Sequence, residues 1–589
     1  MKSPQVTLLK AVNGKPGRGR TQSGRFTELD ADKLRGGYYT SAELSSWFSS
    51  WAIQSAGDKV LEPSCGDGSF VVAAAERLRE LGATSAAIAK QIRGIEVNKA
   101  EADKARNRLV EVAGSRAEDS VERADFFQWW ERKDSSREFD CVLGNPPFIR
   151  YQSFPEPSRT RAMEMMVSLG LSPNKLTNIW VPFVVAATAS LREGGRLALV
   201  LPAELLQVTY ASQLRSFLVD RFKRVNIVAC NELFFDNAEQ EVVLLLAEGS
   251  LATASEENPC RVALTEAKTV EEITSRKPEA LLAKAVPKLV RHDSEKWLKY
   301  FLSNREIEFM RALREEGRAV PLSTHASVDV GVVTGKNAFF VLSREQVEEH
   351  DVGEYVTPLV GRSAHLKGAK LTSSEWESLA AEGQRVFLFS VPLSVNGSLS
   401  TAGRRYVRLG EQQSFDRGYK CSVRSPWYSV PSVWKPDCFF FRQIYDFPRL
   451  VVNVAGATST DTIHRLRCKV PAERIARSIY THLTAASAEI EGRSYGGGVL
   501  ELEPTEAERL LIPAKLGAGL PITECDRLIR AGRLEEVLEE NDRLILREGL
   551  GLTKGECDTL RHIWDRMRNR RLNRRRNASI RDAAIGGDE

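Results

Sequence analysis

The chain reads as an α/β protein: a mostly parallel, Rossmann-like sheet with an antiparallel hairpin strand, then a mixed α+β domain and a helical end. Three observations point there. From Tyr38 to about Glu248, short β-branched runs alternate with helical stretches, the pattern of strands joined by crossover helices. From Val320 to Pro513 the composition shifts to Gly, Pro, aromatic residues and short strand-like runs. Beyond Pro513 a charged helical periodicity returns and runs to the C-terminus.

In order, the strand candidates are "DKVLEP" (58–63), "QIRGIEV" (91–97), "FDCVLGN" (139–145), "GGRLALVLP" (194–202), "RVNIVAC" (224–230) and "EVVLLLAE" (241–248). Helices are expected between them, among others at "SFVVAAAERLRELG" (69–82) and "IWVPFVVAATASLREGG" (179–195). Only "NELFFDNAEQ" separates the last two strands, so a hairpin is expected, with one antiparallel strand closing the sheet. The resulting organisation is a basic flexible arm at 1–35, the α/β domain at 36–250 and a helical connector at 251–319. The mixed domain follows at 320–513, and a helical region with a basic tail at 514–589.

A chain of 589 residues that is 42% hydrophobic and 27% charged has material for several soluble globular cores. No apolar run approaches the ~20 residues that span a bilayer. The longest, Trp180 to Leu191, is interrupted by Pro182, Thr188 and Ser190 and reads as a buried helix. The N-terminus has no sustained apolar segment, so no secretory signal and no membrane are expected. Nine cysteines without a CxxC pair fit reduced thiols in a cytoplasmic setting and argue against a structural zinc site. All seven histidines lie at or after His292. Chemistry in the N-terminal half therefore uses neither a histidine base nor a histidine-held metal, and no metal is expected.

The motifs lie at predicted strand ends. In "VLEPSCGDGSF" (60–70) a strand runs through a Gly-containing turn into a helix. Gly66 and Gly68 remove Cβ atoms where a ligand must approach the backbone, and Glu62 sits at the carboxyl edge where open α/β sheets bind ligands. Glu96 ends the second strand, where a carboxylate can accept from both hydroxyls of a ribose. "RADFFQW" (123–129) places Asp125 to accept from an exocyclic amine and Phe126 to pack on a purine. Three acids at three strand ends describe an adenosine-containing cofactor, and the half lacks the P-loop of a triphosphate site.

"CVLGNPPFIRY" (141–151) supplies the chemistry. Two prolines give no N–H to a ladder and hold the chain rigid. An exocyclic amine on a heteroaromatic ring is a poor nucleophile until acceptors draw its N–H bonds into pyramidal geometry. Asn145 can offer a side-chain carbonyl and Pro146 a backbone carbonyl, with Pro147 fixing their direction. Phe148 offers a face on which an extruded base can stack. The amine sheds its proton after attack, so no histidine base is required.

In this order the motifs resemble the class I methyltransferases that use S-adenosyl-L-methionine (AdoMet), specifically the gamma-class, TaqI-like N6-adenine DNA methyltransferases. "GGYYTSAELSSWFSSW" (36–51) is similar to the motif preceding the fold, with Thr40 at its cofactor-contacting threonine. "LEPSCGDGSF", including Cys65, resembles the methionine-binding loop, "GIEV" the ribose acid and "ADF" the adenine-contacting acid. "NPPF" resembles a catalytic motif more often written NPPY. "NIWVPF" places Phe183 near the cofactor's adenine, and "ELFF" places Phe235, in preference to Phe234, against the target base. The resemblance implies methyl transfer from AdoMet to N6 of a flipped-out adenine in a specific double-stranded DNA sequence. It also implies the modification arm of a restriction system, whose cognate endonuclease acts separately. "KPDCFFF" (435–441) has no ExK partner downstream, so cleavage by this chain is not expected. An NPPF enzyme acting on RNA or on a protein glutamine shares the cofactor site, and a catalytically idle DNA-binding protein would share the fold.

The second half resembles the target-recognition domains of modification methylases through "GVVTGKNAFF" (331–340) and "RSPWY" (424–428). Arg424, Trp427, Tyr428, Lys435 and Arg442 interleave base-stacking and phosphate-binding types. Arg561 to Arg581 carries nine arginines against one acid, Asp565. A solvated helix face is the plain reading of such a run. Phosphate contact by Arg570, Arg571, Arg574, Arg575 and Arg576 is the sharper one.

Overall fold

The computed structural model describes residues 40–132, 138–230, 241–251, 259–292, 295–392, 399–495 and 498–585, with side chains up to residue 573 apart from that of Tyr495. The N-terminal arm expected at 1–35 lies outside the described residues.

The α/β half is built on one eight-stranded sheet: β1 (Val60–Glu62), β2 (Ile92–Glu96), β3 (Val121–Arg123), β4 (Phe139–Gly144), β5 (Leu191–Pro202), β6 (Phe222–Cys230), β7 (Val242–Ser250) and β8 (Arg261–Ala267). Their order is β3-β2-β1-β4-β5-β7-β6-β8. β1 is parallel to both neighbours, with Val60 opposite Ile92 on one side and Cys141 on the other. Three central residues, all buried, are enough for β1 because helices cover both faces.

Two features depart from the sequence reading. The β6–β7 hairpin forms, but its antiparallel strand β7 lies inside the sheet between β5 and β6. The edge is β8, parallel to β6 and drawn from the segment expected to be a helical connector. Its buried run, Val262, Ala263 and Leu264 between exposed Arg261 and Glu266, is short and was hidden by the helices on either side.

Five helices position the site. α1 (Ala42–Ala52), capped by Ser41, buries Leu44, Phe48 and Trp51. α2 (Ser69–Glu80) follows the Gly turn and buries Phe70, Val71, Ala74 and Leu78. α3 (Lys99–Ala113) starts at Asn98, whose side chain accepts from the N–H groups of Ala100 and Glu101. α4 (Phe126–Arg132) and α5 (Trp180–Ala189) complete the set. α5 is buried from Trp180 to Thr188, as its largely apolar sequence implied. Pro182 falls in its first turn, where the missing N–H had no helical acceptor anyway. The helix stops earlier than expected: Leu191 already pairs with Phe139, and a register shift absorbs the residues before Arg196 pairs with Cys141.

The second half holds a five-stranded sheet centred on Cys438–Phe441 and a four-stranded sheet centred on Phe387–Phe389 and Val356–Val360. The last helix, α6 (Lys554–Ile585), inserts Leu560, Ile563, Trp564 and Met567 into a core that also contains Leu61, Phe183 and Leu199 of the α/β half. The two halves therefore share one continuous apolar interior.

Candidate active site

The Gly turn after β1 is held from three sides. Cys65 donates its N–H to the Ile95 carbonyl (2.9 Å) and accepts from the Gly68 N–H (2.7 Å). Asp67 accepts from Ser69 N–H (3.2 Å) and from the Arg108 guanidinium of α3 (2.6 Å), which also donates to the Asp67 carbonyl (3.0 Å). The Gly66 N–H donates to Glu96 (3.0 Å) at the end of β2. Gly68, at φ +92°, is required by packing, since a Cβ there would lie 2.8 Å from Ala105 Cα. Gly66, at φ +49°, has no atom within 4 Å of where a Cβ would stand.

Cys65 was expected to touch the cofactor. Its backbone groups are both used within the fold and its side chain is buried, so its part is to pin the turn to β2. Asp67 and Arg108 were missed by sequence reading. The acid sits in plain view in the Gly motif, but its partner lies on a different helix with no marker.

Glu62 is buried, and one carboxylate oxygen has no partner among the described residues. Burial, reinforced by the charge on Asp67, pushes its carboxyl well above the usual range. A buried carboxylate oxygen without a partner is costly, and such a group in a fold of this kind is what a cationic ligand would satisfy. Glu96 accepts from the N–H groups of Gly66 and Asn98 (2.7 Å). Burial raises its carboxyl and these two donors oppose the rise. A carboxylate has about four acceptor sites, so two remain for a pair of hydroxyls. Asp125 caps α4 by accepting from the Gln128 N–H (2.8 Å).

Phe126 does not offer a face to a purine. It is 3% exposed and lies near-parallel to Phe183 (5.2 Å between centroids) and to Trp129 (5.9 Å), inside an aromatic cluster. Phe183 instead lines a narrow cleft together with Pro63, Ser64, Gly144, Pro146, Ala187 and Leu199.

That cleft brings the Gly turn and the NPPF turn together. A Cβ on Gly144 would sit 3.5 Å from Glu62 Cγ. The Ser64 hydroxyl donates to the Asn145 carbonyl (3.4 Å), and the Asn145 amide nitrogen donates to the hydroxyl of buried Thr40 (3.5 Å). Ile149 then accepts from the Ile179 N–H (2.9 Å), tying the turn to the start of α5. Phe148 is half-buried between the two core clusters of the domain. Phe234 and Phe235 lie outside the described residues. Among the described residues, no cluster of three or more metal-ligating side chains forms, and no helix is long and apolar enough to cross a membrane.

The arginines assigned to DNA fare differently. Arg570 ion-pairs with Glu241 (3.1 Å) and Glu266 (3.0 Å), and its guanidinium lies 3.5 Å from the Phe301 ring centroid. Arg571 is 2% exposed, chelates Glu489 (2.6 and 3.1 Å) and donates to the carbonyls of Gly498 and Tyr445. Neither is placed to meet a phosphate; both clamp α6 to the rest of the molecule. The side chains of Arg574, Arg575 and Arg576 lie outside the described residues. Arg442 pairs with Glu501 (2.7 Å) and Glu503 (2.8 Å). Arg424 donates to the carbonyls of Val333 (2.7 Å) and Thr334 (2.8 Å), so it shapes a loop. Trp427, 4.9 Å from Phe339 and bonded to Glu411 (3.2 Å), packs with Tyr428 at the edge of a core cluster. Lys435 is exposed.

Residues 24–308 match the family described as N-6 DNA Methylase, and residues 294–546 match the C-terminal domain of the type II methyltransferase M.Eco57I. Together with the fold and the site, these matches define the chain as a gamma-class adenine-N6 DNA methyltransferase. Among individual relatives, it is 23% identical to the type II methyltransferase M.AccI of Acinetobacter calcoaceticus, over 73% of this chain and 78% of that one. It is 22% identical to M.XamI of Xanthomonas campestris pv. amaranthicola, over 81% and 85%. In fold it is similar to the type IIL restriction-modification enzyme MmeI, solved in complex with DNA: TM-score 0.51, 12% identity, 89% of this chain and 75% of that one.

Proposed function

We propose that the protein transfers a methyl group from AdoMet to N6 of an adenine flipped out of double-stranded DNA, as the modification arm of a restriction-modification system. The observation that carries this reading is the nearness of Glu62, with its unpartnered buried oxygen, to the Asn145-Pro146-Pro147-Phe148 turn: a Cβ on Gly144 would sit 3.5 Å from Glu62 Cγ, and Ser64 of the Gly turn donates to the Asn145 carbonyl. The type II methyltransferase names of the relatives support the restriction-modification setting.

AdoMet, when bound, supplies an electrophilic methyl carbon on a sulfonium that leaves as a neutral thioether. Glu62 would meet the α-ammonium of its methionine part, Glu96 its ribose hydroxyls, and Asp125 its exocyclic amine. Gly66 leaves the backbone open beside it. Thr40 and Ser64 hold Asn145 beside the Gly turn. Asn145 and the Pro146 carbonyl would accept from the two N–H groups of the target amine and favour the pyramidal geometry in which its lone pair can attack. These contacts tighten as the transition state is approached, so they act on rate more than on binding. Once the N–C bond forms, the cationic amine loses a proton to water, and no side-chain base is needed. Phe148 would stack on the extruded base and offset part of the unstacking cost.

The test is a pair of measurements on full-length wild type and Asn145→Ala. The variant should lose methyl transfer to DNA by at least a hundredfold, roughly 3 kcal/mol of transition-state stabilisation. It should bind AdoMet within a factor of about two of wild type. More than about a tenth of normal transfer would remove Asn145 from the mechanism.

A further inference from the structure

We propose that a ridge made by the 333–336 loop and residues 419–424 reads base pairs of the DNA substrate in the major groove, through the C5-methyl groups of thymine. This deepens the DNA-methylating reading above and rests on it. Ten large apolar side chains are well exposed among the described residues, and three of them belong to these two joined segments: Val333 (38%), Tyr419 (76%) and Val423 (66%). Clustered exposure of that kind marks a contact surface, whereas single exposed apolar residues need no explanation.

The ridge is rigid. Arg424 donates to the carbonyls of Val333 and Thr334, locking the loop onto the short helix Tyr419–Ser422. Gly335, at φ +83°, packs so closely that a Cβ would lie 2.7 Å from Lys420 Cβ. Beneath it, Cys421 is fully buried.

Its charge suits a polyanion. Lys336, Arg417 and Lys420 are exposed around the apolar residues. Lys336 lies 5.2 Å from the Phe415 ring centroid and Lys420 lies 5.8 Å from that of Tyr419. The nearby acids are Asp416, half-buried, and Glu411, which accepts from Trp427. Lysines flanking a groove contact phosphates without reading sequence, whereas apolar side chains at a base edge discriminate by meeting the thymine methyl. Valine carries no donor or acceptor with which to read guanine or cytosine.

The experiment uses the full-length protein in a host lacking other adenine methylation, with modified adenines mapped by sequencing. Wild type should modify one sequence. Tyr419→Ala and Val423→Ala, both at exposed positions, should bind AdoMet normally yet accept other bases at one or two A·T positions. Their rate on the original sequence should fall roughly tenfold. Replacing the thymine at that position by deoxyuridine, which removes only the methyl, should slow wild type and leave Val423→Ala unaffected. An unchanged site at unchanged rate would overturn the proposal. So would a loss equal on all sequences, which would make the ridge a backbone contact only. No modified adenine with wild type would instead overturn the parent reading of the activity.

Discussion

Glu62 is placed at a cost to the fold. Burial raises its carboxyl, so the native state binds a proton more tightly than the unfolded chain does. Stability from this group is then greatest below its unfolded value of about 4.3 and declines as pH rises toward the folded one. Glu62→Gln should therefore melt higher than wild type at neutral pH in the absence of ligand. The same change should weaken AdoMet at least tenfold, about 1.4 kcal/mol, by removing the partner of its ammonium. At a pH where the raised Glu62 carboxyl still holds its proton, AdoMet uptake by wild type should release that proton, which calorimetry in buffers of different ionisation enthalpy would detect. A variant that binds normally, or that melts lower, contradicts this account. Glu96→Ala removes two charge-assisted contacts to ribose, roughly 2–4 kcal/mol, so calorimetric affinity should fall more than tenfold. Glu62, Glu96 and Asn145 were legible because each ends a strand at a marked turn. Phe126 was misread because its burial depends on Trp129 and Phe183, one on its own helix and one more than fifty residues on.

At the scale of elements, α6 shows why a charge run is ambiguous in sequence. Arg561, Arg566, Arg568, Arg570 and Arg571 each meet an acid, and those partners are spread from Glu241 to Glu539. No local pattern announces such pairings. Burial pushes the Glu489 carboxyl up and the Arg571 guanidinium opposes it. Arg571→Ala leaves that acid buried and alone, and should cost about 3–5 kcal/mol in urea unfolding. It should leave the salt dependence of DNA binding unchanged, because no phosphate contact is lost. A slope reduced by about 0.9 with full stability would restore the phosphate role. The strands of the sheet were legible by their apolar runs and turn residues. β8 was not, because a seven-residue edge strand with Arg261 and Glu266 exposed or half-exposed resembles its helical surroundings.

For the whole molecule, the shared interior matters most. Trp564 of α6 belongs to the same core as Leu61 of β1, so the catalytic sheet and the C-terminal region are held in fixed relation. The sequence showed two compositional regions but not that their cores merge, since merging depends on long-range contacts that no local pattern encodes. Rigid coupling suits an enzyme in which one part selects the DNA sequence while another holds the adenine against the cofactor. The most direct test of that account is sequencing of host DNA, with modified adenines mapped, from cells carrying wild type, Asn145→Ala or no protein. N6-methyladenine confined to one short sequence with wild type, and absent from the other two samples, is the predicted result. Adenine methylation that persists with Asn145→Ala, or none with wild type, would contradict it.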